Sequence, residues 1–397
     1  GALGTTRSQL FPQIGYGADA SRAQASRIGQ PPLPPGADAT FSLFQASLGA
    51  SWQLDLFGRV RRQSEAAQAQ VFASEQAQRG VVLTLVSNLA TSYVALRALD
   101  RQLEIARATT ANFEKTAHIF DLRYKQGVVS KVEVMQITSQ VQQAKAAIPL
   151  FEQAIAAQEN LISLLLGRNP GPIPRGKTID QLLAPVIPAD LPSTLLERRP
   201  DVLQAEQNLV AANANVGAAR ALYYPNISLT GLLGTVSTTF SDLFTGPSQA
   251  WRAGGSIAGP IFTFGAVRGQ NASADAVREQ ALLGYQQTIL NAFRETNDAL
   301  TGSTLKANEL AEQQARVAAL RDFARLSNLR FENGMTSYID VLVAENELFA
   351  AELASVRISA ERQAQVINVY RAMGGGWVTT ATNQANNAPA KASASGG

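Results

Sequence analysis

The stretch Leu122-Arg-Tyr-Lys-Gln-Gly127-Val-Val-Ser130-Lys-Val-Glu133-Val134 recurs as Leu329-Arg-Phe-Glu-Asn-Gly334-Met-Thr-Ser337-Tyr-Ile-Asp340-Val341. The offset of 207 residues holds without a gap for about 110 residues and pairs Gly58 with Gly265. Upstream, the offset between the two copies is 213 residues, so the first copy contains six more residues than the second before Gly58. In that stretch, residues 31–36 form a proline-rich, loop-like run. We therefore expect a chain built from two copies of one structural unit.

Each copy has the same predicted order of elements. A helix ends, two strands follow, a very long helix begins, and a tight turn leads into a returning helix. These boundaries are Pro12, Gly58, Gly127 and Gly167 in the first copy, and Pro225, Gly265, Gly334 and Gly374 in the second. The predicted fold class is mixed α and β, mostly α. The predicted repeats are 1–167 and 199–377, joined by a proline-rich linker at 168–198 and followed by a disordered tail at 378–397.

The strands are predicted from alternation of apolar and polar residues. From 45 to 56, all six apolar residues occur at every second position. Apolar residues also occur at every second position from 13 to 20. The hairpins are expected at about 13–57 and about 226–263, the second with strands near 227–236 and 251–262. Such strands resemble those of outer-membrane barrels, and a soluble sandwich is the alternative. Because four strands cannot close a barrel, either the sheet is soluble or several chains share one barrel.

The long helices are predicted at 59–120 and 266–331, which contain no proline. Each spans roughly 90 Å at about 1.5 Å per residue. Val82, Leu89, Leu96 and Leu103 recur every seven residues, a coiled-coil period. Taken alone, the helices favour a soluble coiled-coil rod. Since no run of 18 apolar residues exists, we expect no transmembrane helix.

The two turns between the helices carry their own signals. Gly127 and Gly334 suit the left-handed position that ends a helix. Ser130-x-x-Glu133 and Ser337-x-x-Asp340 follow as N-caps with an acid three residues on. The returning helix of the first copy also contains Pro149, which predicts a local break in that helix.

Composition excludes several classes of function. The chain has 397 residues, 16% of them charged, with no cysteine and a single histidine, His118. Disulfides, a thiol nucleophile, cysteine-bound zinc and iron–sulfur clusters are therefore excluded. The net charge of +3 is too small to indicate nucleic acid by electrostatics alone.

One motif resembles an enzyme's phosphate loop. Gly171-Pro-Ile-Pro-Arg-Gly176-Lys177-Thr178 fits the pattern G-x-x-x-x-G-K-T, but Pro172 and Pro174 lack the N–H groups that such a loop aims at phosphate. A helix end, not a strand, precedes it. We therefore expect no nucleotide site, no cofactor and no enzyme activity.

Taken together, the chain resembles the TolC-type outer-membrane efflux channels. The resemblance rests on the two repeats, the turn motifs, Asp55-Leu-Phe-Gly58, and Leu195-x-x-Arg-Arg-Pro-Asp-Val202. The Arg198-Arg-Pro-Asp motif and the Gly-Gly-Gly-Trp377 end are similar to the OprM-like branch, whose members are lipoproteins that work with resistance–nodulation–division pumps in multidrug efflux. Only Gly1–Phe11 matches the end of the family's first helix, so we expect the chain to be truncated at its amino terminus; no lipid-bearing cysteine is present.

The resemblance implies a homotrimer in the outer membrane. Each chain would give four strands to a twelve-stranded barrel in lipid and helices to a periplasmic α-helical barrel. The linker would form an equatorial girdle. The partners implied are a periplasmic adaptor and an inner-membrane pump, and the function is passive export of small molecules. The alternative is a soluble periplasmic coiled-coil scaffold with a β head.

The resemblance also assigns candidate site residues. The family's aperture acids fall on Glu133 and Asp340, although both also suit helix capping, and a further acid of some relatives is Val343 here. The tips at 124–134 and 331–341 would contact the adaptor. The contact residues are Gly127, Val128, Val129 and Ser130 in the first tip, and Gly334, Met335, Thr336 and Ser337 in the second. The strand–helix junctions are Pro12, Gly58, Pro225 and Gly265.

Overall fold

The computed structural model describes residues 1–26, 38–182 and 198–375. The helices are α1 (Ala2–Ser8), α2 (Arg59–Lys125), α3 (Lys131–Leu165), α4 (Pro200–Arg220), α5 (Ala266–Glu332) and α6 (Tyr338–Ala372). The strands are β1 (Gln13–Gln24), β2 (Thr40–Leu54), β3 (Asn226–Ser237) and β4 (Gln249–Ala258). The loop-like run at 31–36, residues 183–197 of the linker, Trp377 and the tail at 378–397 lie outside the described residues.

The helices repeat as the sequence predicts. α2 and α5 each have 67 residues, and α3 and α6 each have 35. Their bounds are related by the same offset of 207 that relates the turn motifs. The predicted fold class is confirmed.

Two details of the prediction are wrong. β4 ends at Ala258 and does not reach Phe262, because Pro260 lacks the N–H that a strand pairing needs. α3 continues through Pro149 without a break. One proline removes a single bond from the ladder of a 35-residue helix, and the remaining ladder and the packed face of α3 hold the helix together.

The four strands form one antiparallel sheet in the order β1-β2-β3-β4. Twelve residue pairs join β1 to β2, eleven join β2 to β3, and ten join β3 to β4. The registers are continuous, so residues that pair across strands lie on the same face.

The described chain divides into two compact units. The first comprises Gly1–Gln76 and Leu203–Thr288, and the second takes its described residues from Ala77–Val202 and Ile289–Gly397. In the first unit, alanines of α2 and α4 pack closely: Ala66, Ala69, Ala211 and Ala214. In the second, aromatic and aliphatic residues of α2, α3 and α6 form a larger core.

One described helix, α2, is long and apolar enough over an 18-residue window to cross a membrane on length and composition alone. Of that window, 33% is buried inside the chain. Length and composition alone are weak evidence for a membrane span.

Candidate functional site: sheet faces and helical tips

One face of the sheet, the apolar face, is hydrophobic across all four strands. Tyr16 of β1 pairs with Leu48 of β2, Leu48 with Leu233 of β3, and Leu233 with Trp251 of β4. The exposed fractions of Tyr16 and Trp251 are 89% and 78%. Flanking rows are also largely apolar and include Ile14, Ala50, Trp52, Leu229, Ile227 and Ile257. Leu48 and Leu233 are exposed as well, so the central row of this face points away from the described chain.

The opposite face, the polar face, carries mostly small and hydrophilic side chains, with Phe41, Leu43, Leu232 and Val236 as exceptions. The hydroxyls of Ser228 and Ser256 lie 2.8 Å apart across β3 and β4. Gln53 donates to the Asn226 side chain at 2.9 Å across β2 and β3. The sheet therefore separates an apolar surface from one that forms its own polar contacts, as a membrane barrel wall requires.

The predicted junction residues stand between strand and helix. Pro12 and Pro225 directly precede β1 and β3, and Gly58 and Gly265 directly precede α2 and α5. Both glycines have positive φ, +75° and +89°. A residue with a Cβ is strained in this conformation, so glycine is required here.

Asp55 caps the first of these junctions, a role that its place in the Asp55-Leu-Phe-Gly58 motif did not reveal. Its carboxylate accepts from the backbone N–H groups of Val60 at 2.9 Å and Arg61 at 2.8 Å. These are N–H groups of the first turn of α2, which lack partners within the helix. In the second copy the equivalent position is Phe262, so the two junctions differ.

The two tip glycines end their helices as predicted. Gly127 and Gly334 have φ of +74° and +70°. Gly127 N–H donates to the carbonyl of Tyr124, and Val128 N–H to that of Arg123, each at 2.9 Å. The second tip repeats both bonds, from Gly334 to Phe331 and from Met335 to Arg330. This pair of bonds is the Schellman pattern.

The two candidate aperture acids differ in their contacts. Glu133 forms a complete capping box: Ser130 N–H donates to its carboxylate at 2.7 Å, and its own N–H donates to Ser130 Oγ at 3.4 Å. Ser337 caps α6 by accepting from Ile339 N–H at 3.3 Å, but the carboxylate of Asp340 accepts from the Thr336 hydroxyl instead. Aspartate is one methylene shorter than glutamate, which explains why it does not reach back to the cap.

A shared core brings the two tips together. Phe120 of α2 contacts both Phe331 of α5 and Tyr338 of α6, with ring centroids 5.9 and 4.3 Å away. Val129 of the first tip packs against the same core. The hydrogen bonds of Glu133 and Asp340 in the described chain stay local, each within its own tip.

The tips present both apolar and polar groups to the outside. Val128 and Met335 are each 69% exposed. Gly127, Ser130, Gly334 and Ser337 are exposed, whereas Thr336 is half-buried. A partner that touches the tips would therefore meet matching surfaces in the two copies, with Val128 in one and Met335 in the other.

The segment that resembles a phosphate loop has a different environment. It follows the end of α3 and leads into a single 3₁₀ turn, Ile179–Gln181. Gly176 N–H donates to the hydroxyl of Tyr93 at 2.8 Å, and Ile173 N–H donates to Glu159 at 3.1 Å. These donors anchor the linker to α2 and α3. The context of a phosphate loop, between a buried strand and a helix, is not the one found here.

Comparisons with known proteins agree with this geometry. The family model described as "Outer membrane efflux protein" matches residues 2–168 and 191–375. The cation efflux system protein CusC of Escherichia coli is 36% identical over 344 residues, 86% of this chain and 75% of the relative. The toluene efflux pump outer membrane protein TtgF of Pseudomonas putida is 33% identical over 372 residues, 94% of this chain and 77% of the relative.

Solved structures give the same result. A crystal structure of CusC superposes with a TM-score of 0.87 at 33% identity, covering 94% of this chain and 86% of that one. The open-state MtrE channel of Neisseria gonorrhoeae gives 0.84 at 28% identity, covering 94% and 83%. The resemblance to TolC-type efflux channels is confirmed, and the soluble scaffold is not favoured. The relatives are efflux channels, which are transporters and not enzymes. The chain belongs to the outer membrane efflux protein family.

Proposed function

We propose that this chain forms, as a homotrimer, the outer-membrane exit duct of a tripartite efflux system, through which small molecules leave passively. The observation that carries the proposal is the sheet. Its apolar face carries an exposed large side chain on each of the four strands, while its other face is mostly small and polar. A face of this kind in water would expose a large apolar area, and in lipid it is the stable arrangement.

The open edges of the sheet argue for several chains. β1 and β4 are the outer strands, and each has one unpaired side within the described chain. Unpaired backbone groups are not tolerated in the hydrocarbon of a membrane, so each edge needs a strand from another chain. Three chains of four strands would close a barrel of twelve.

The tips are the proposed contact with a periplasmic adaptor, which would link the duct to an inner-membrane pump. Val128 and Met335 supply exposed apolar surface at matching positions of the two copies. The Schellman turns hold both positions in one conformation, so little ordering is needed on binding.

Glu133 and Asp340 are the proposed aperture acids. Each occurs once per chain, so a trimer would place six carboxylates around one axis. Carboxylates brought close together repel one another and bind cations. The capping box of Glu133 and the bond that Asp340 accepts from the Thr336 hydroxyl would fix the two carboxylates in position rather than compete with this role.

Replacing both acids by amides tests the proposal. In Glu133→Gln with Asp340→Asn, an amide oxygen can still accept the bonds from Ser130 N–H and the Thr336 hydroxyl. We expect trimer stability to change little, while single-channel conductance in a planar bilayer loses its block by divalent cations. The control is Glu312→Gln with Asp322→Asn, which removes equal charge from exposed positions of α5.

The control variant should keep the cation block of the parent. If the amide variant conducts and is blocked like the parent, the two acids serve only their local hydrogen bonds within the tips. If the parent protein inserts in no bilayer and fractionates with soluble proteins, the duct itself is refuted.

A further inference from the structure

A cavity of about 300 Å³ lies between α2, α3 and α6, within the second compact unit. α3 supplies its apolar wall with two leucines one helical turn apart, Leu161 and Leu165. α2 and α6 supply hydroxyl, amide and guanidinium groups, from Ser87, Asn88, Thr91, Ser92, Asn368 and Arg371. Its size is at the lower end of the range for small-molecule sites, which combine an apolar wall with a few polar groups.

Arg371 is the one charged residue among the described residues that line this cavity. Its side chain is exposed and makes no hydrogen bond or ion pair in the part of the chain that the structure describes. No described acidic residue lines the cavity to balance the guanidinium. An anion that enters would therefore meet a positive charge that no carboxylate of the cavity already holds.

Two neutral side chains of α2 add hydrogen-bond donors to the same cavity. Neither the Asn88 amide nor the Thr91 hydroxyl bonds to another described residue. Ser87, by contrast, donates to the Leu83 carbonyl of its own helix at 2.8 Å. The amide N–H groups of Asn88 and the O–H of Thr91 are therefore available to an oxygen of a ligand.

The lack of acids here distinguishes α2 from its counterpart in the second copy. At the offset of 207, Asn88 corresponds to Glu295 of α5, and Thr91 corresponds to Asp298. The Glu295 carboxylate accepts from the buried Arg199 at 2.8 Å. The shared fold thus accommodates acids at these two positions, and the first copy has neutral donors there instead.

We propose that this cavity binds a small organic anion, a carboxylate with a short aliphatic chain. The planar guanidinium of Arg371 can donate two hydrogen bonds to a carboxylate. Asn88 and Thr91 would donate to the same oxygens, and the aliphatic chain would lie against the two leucines of α3. A bare inorganic anion fits less well, because it would leave those leucines in contact with water. This site goes beyond the proposed exit duct and does not depend on it.

The experiment uses hexanoate as the probe. The full chain, purified as the trimer in an uncharged detergent, is titrated with hexanoate by calorimetry, and the same detergent buffer serves as the blank. We expect saturable binding to the parent, weakened at least about tenfold in Arg371→Gln. The matched control is Arg357→Gln, which removes an exposed arginine of the same helix and should bind like the parent.

Two further probes separate the charge from the chain. Hexanol keeps the aliphatic chain and lacks the charge, whereas acetate keeps the charge and lacks most of the chain. Each should bind the parent at least about tenfold more weakly than hexanoate. Hexanol binding equal to that of hexanoate would overturn the role of Arg371, and equal acetate binding would overturn the role of Leu161 and Leu165.

A second variant tests the cavity without changing the charge of the protein. Thr91 is half-buried, and Thr91→Leu would fill part of the cavity and remove a donor within a helix that tolerates leucine. Binding of hexanoate should be lost. If either Thr91→Leu or Arg371→Gln binds hexanoate like the parent, the cavity is not the site.

Ionic strength gives an independent reading. Salt screens an ion pair that is partly open to water. The affinity of the parent for hexanoate should therefore fall as salt is added, and the residual affinity of Arg371→Gln should not. A parent affinity that is independent of salt would show that the carboxylate does not pair with the guanidinium.

Bilayer conductance of the same preparations separates this site from the duct. A parent trimer that conducts but does not bind hexanoate refutes the anion site and leaves the duct intact. A protein that binds hexanoate but forms no channel refutes the duct alone and supports the anion site.

Discussion

Arg199 shows how one residue can join three helices. Its guanidinium donates to Asp201 at the start of α4, to Glu295 of α5, and to the carbonyl of Ala372 at the end of α6. Its side chain is only 7% exposed. Burial lowers its pKa, but the hydrogen bonds and charges of the two carboxylates outweigh this effect and raise it. Replacing a buried charge of this kind leaves its partners without compensation and is therefore destabilising.

Replacing Arg199 should destabilise the chain. In Arg199→Ala, Asp201 and Glu295 lose their shared cation and Ala372 loses a donor. We expect a loss of about 3 kcal/mol, measured by thermal unfolding in detergent. Arg198→Ala is the control, since this neighbour is exposed, and it should lie within about 0.5 kcal/mol of the parent.

Acid should reduce the difference in unfolding free energy between Arg199→Ala and the parent. Burial would raise the pKa of Asp201, but the Arg199 guanidinium outweighs this and lowers it below its ordinary value of 3.8. A lowered folded-state pKa stabilises the fold above the ordinary pKa, and this contribution disappears as pH falls through the folded-state pKa. The stability gap should thus be full at pH 7 and shrink in acid below 3.8. A gap independent of pH would show that Arg199 acts by packing alone.

At the scale of elements, the turns at the helical tips define where the long helices reverse. α2 and α5 both stop at a glycine with positive φ, and α3 and α6 both start at a capping serine. The space around Gly127 and Gly334 is open, with no neighbouring atom within 4 Å of an added Cβ. The glycines are therefore required by backbone conformation and not by close packing.

The turn glycines allow a clean test. Gly334→Val forces a β-branched residue into φ near +70° and should cost about 1–2 kcal/mol without a steric clash. Capture of the adaptor by the variant should fall, while membrane insertion persists. Gly284→Ala, inside α5 with equally open surroundings, should instead stabilise the chain by about 0.5–1 kcal/mol. If Gly334→Val loses insertion but still cross-links to the adaptor, the placement of the tips is wrong.

At the scale of the whole molecule, the two faces of the sheet determine where the chain resides. Leu48 lies on the apolar face beside Leu233, and Ser47 lies on the polar face beside Gly234. Consecutive residues of one strand thus meet two different environments. This contrast between neighbours allows lipid and lumen to be distinguished by single substitutions.

Arginine at these two positions should have unequal effects. Leu48→Arg places a charge on the proposed lipid face and should cost up to about 2–4 kcal/mol, which reduces the fraction recovered in the outer membrane. Ser47→Arg, one residue away on the polar face, should insert like the parent and alter conductance. The quantity to compare is the heat-resistant trimer in outer-membrane fractions. Equal recovery of the two variants would contradict the assignment of the faces.

The candidate site could be predicted from sequence where its signals are local. Gly127, Ser130 and Glu133 fall within seven residues, and their spacing alone predicted both the turn and the capping box. Asp340 fits the same sequence pattern, but its carboxylate accepts from the Thr336 hydroxyl. The pattern treats aspartate and glutamate alike and so takes no account of the shorter aspartate side chain. The roles of the tips and of the two acids in docking and gating remain predictions.

The sequence by itself determined the two copies, the lengths of their helices, the turns and the two faces of the sheet. Each of these depends on periodicity or on residues close together in the chain. Only the tertiary structure placed Arg199 against Glu295 and Phe120 of the first copy against Tyr338 of the second. These contacts depend on which helices pack together across long separations in the chain. Packing at that range is set by the sum of many weak side-chain contacts, which no local pattern encodes.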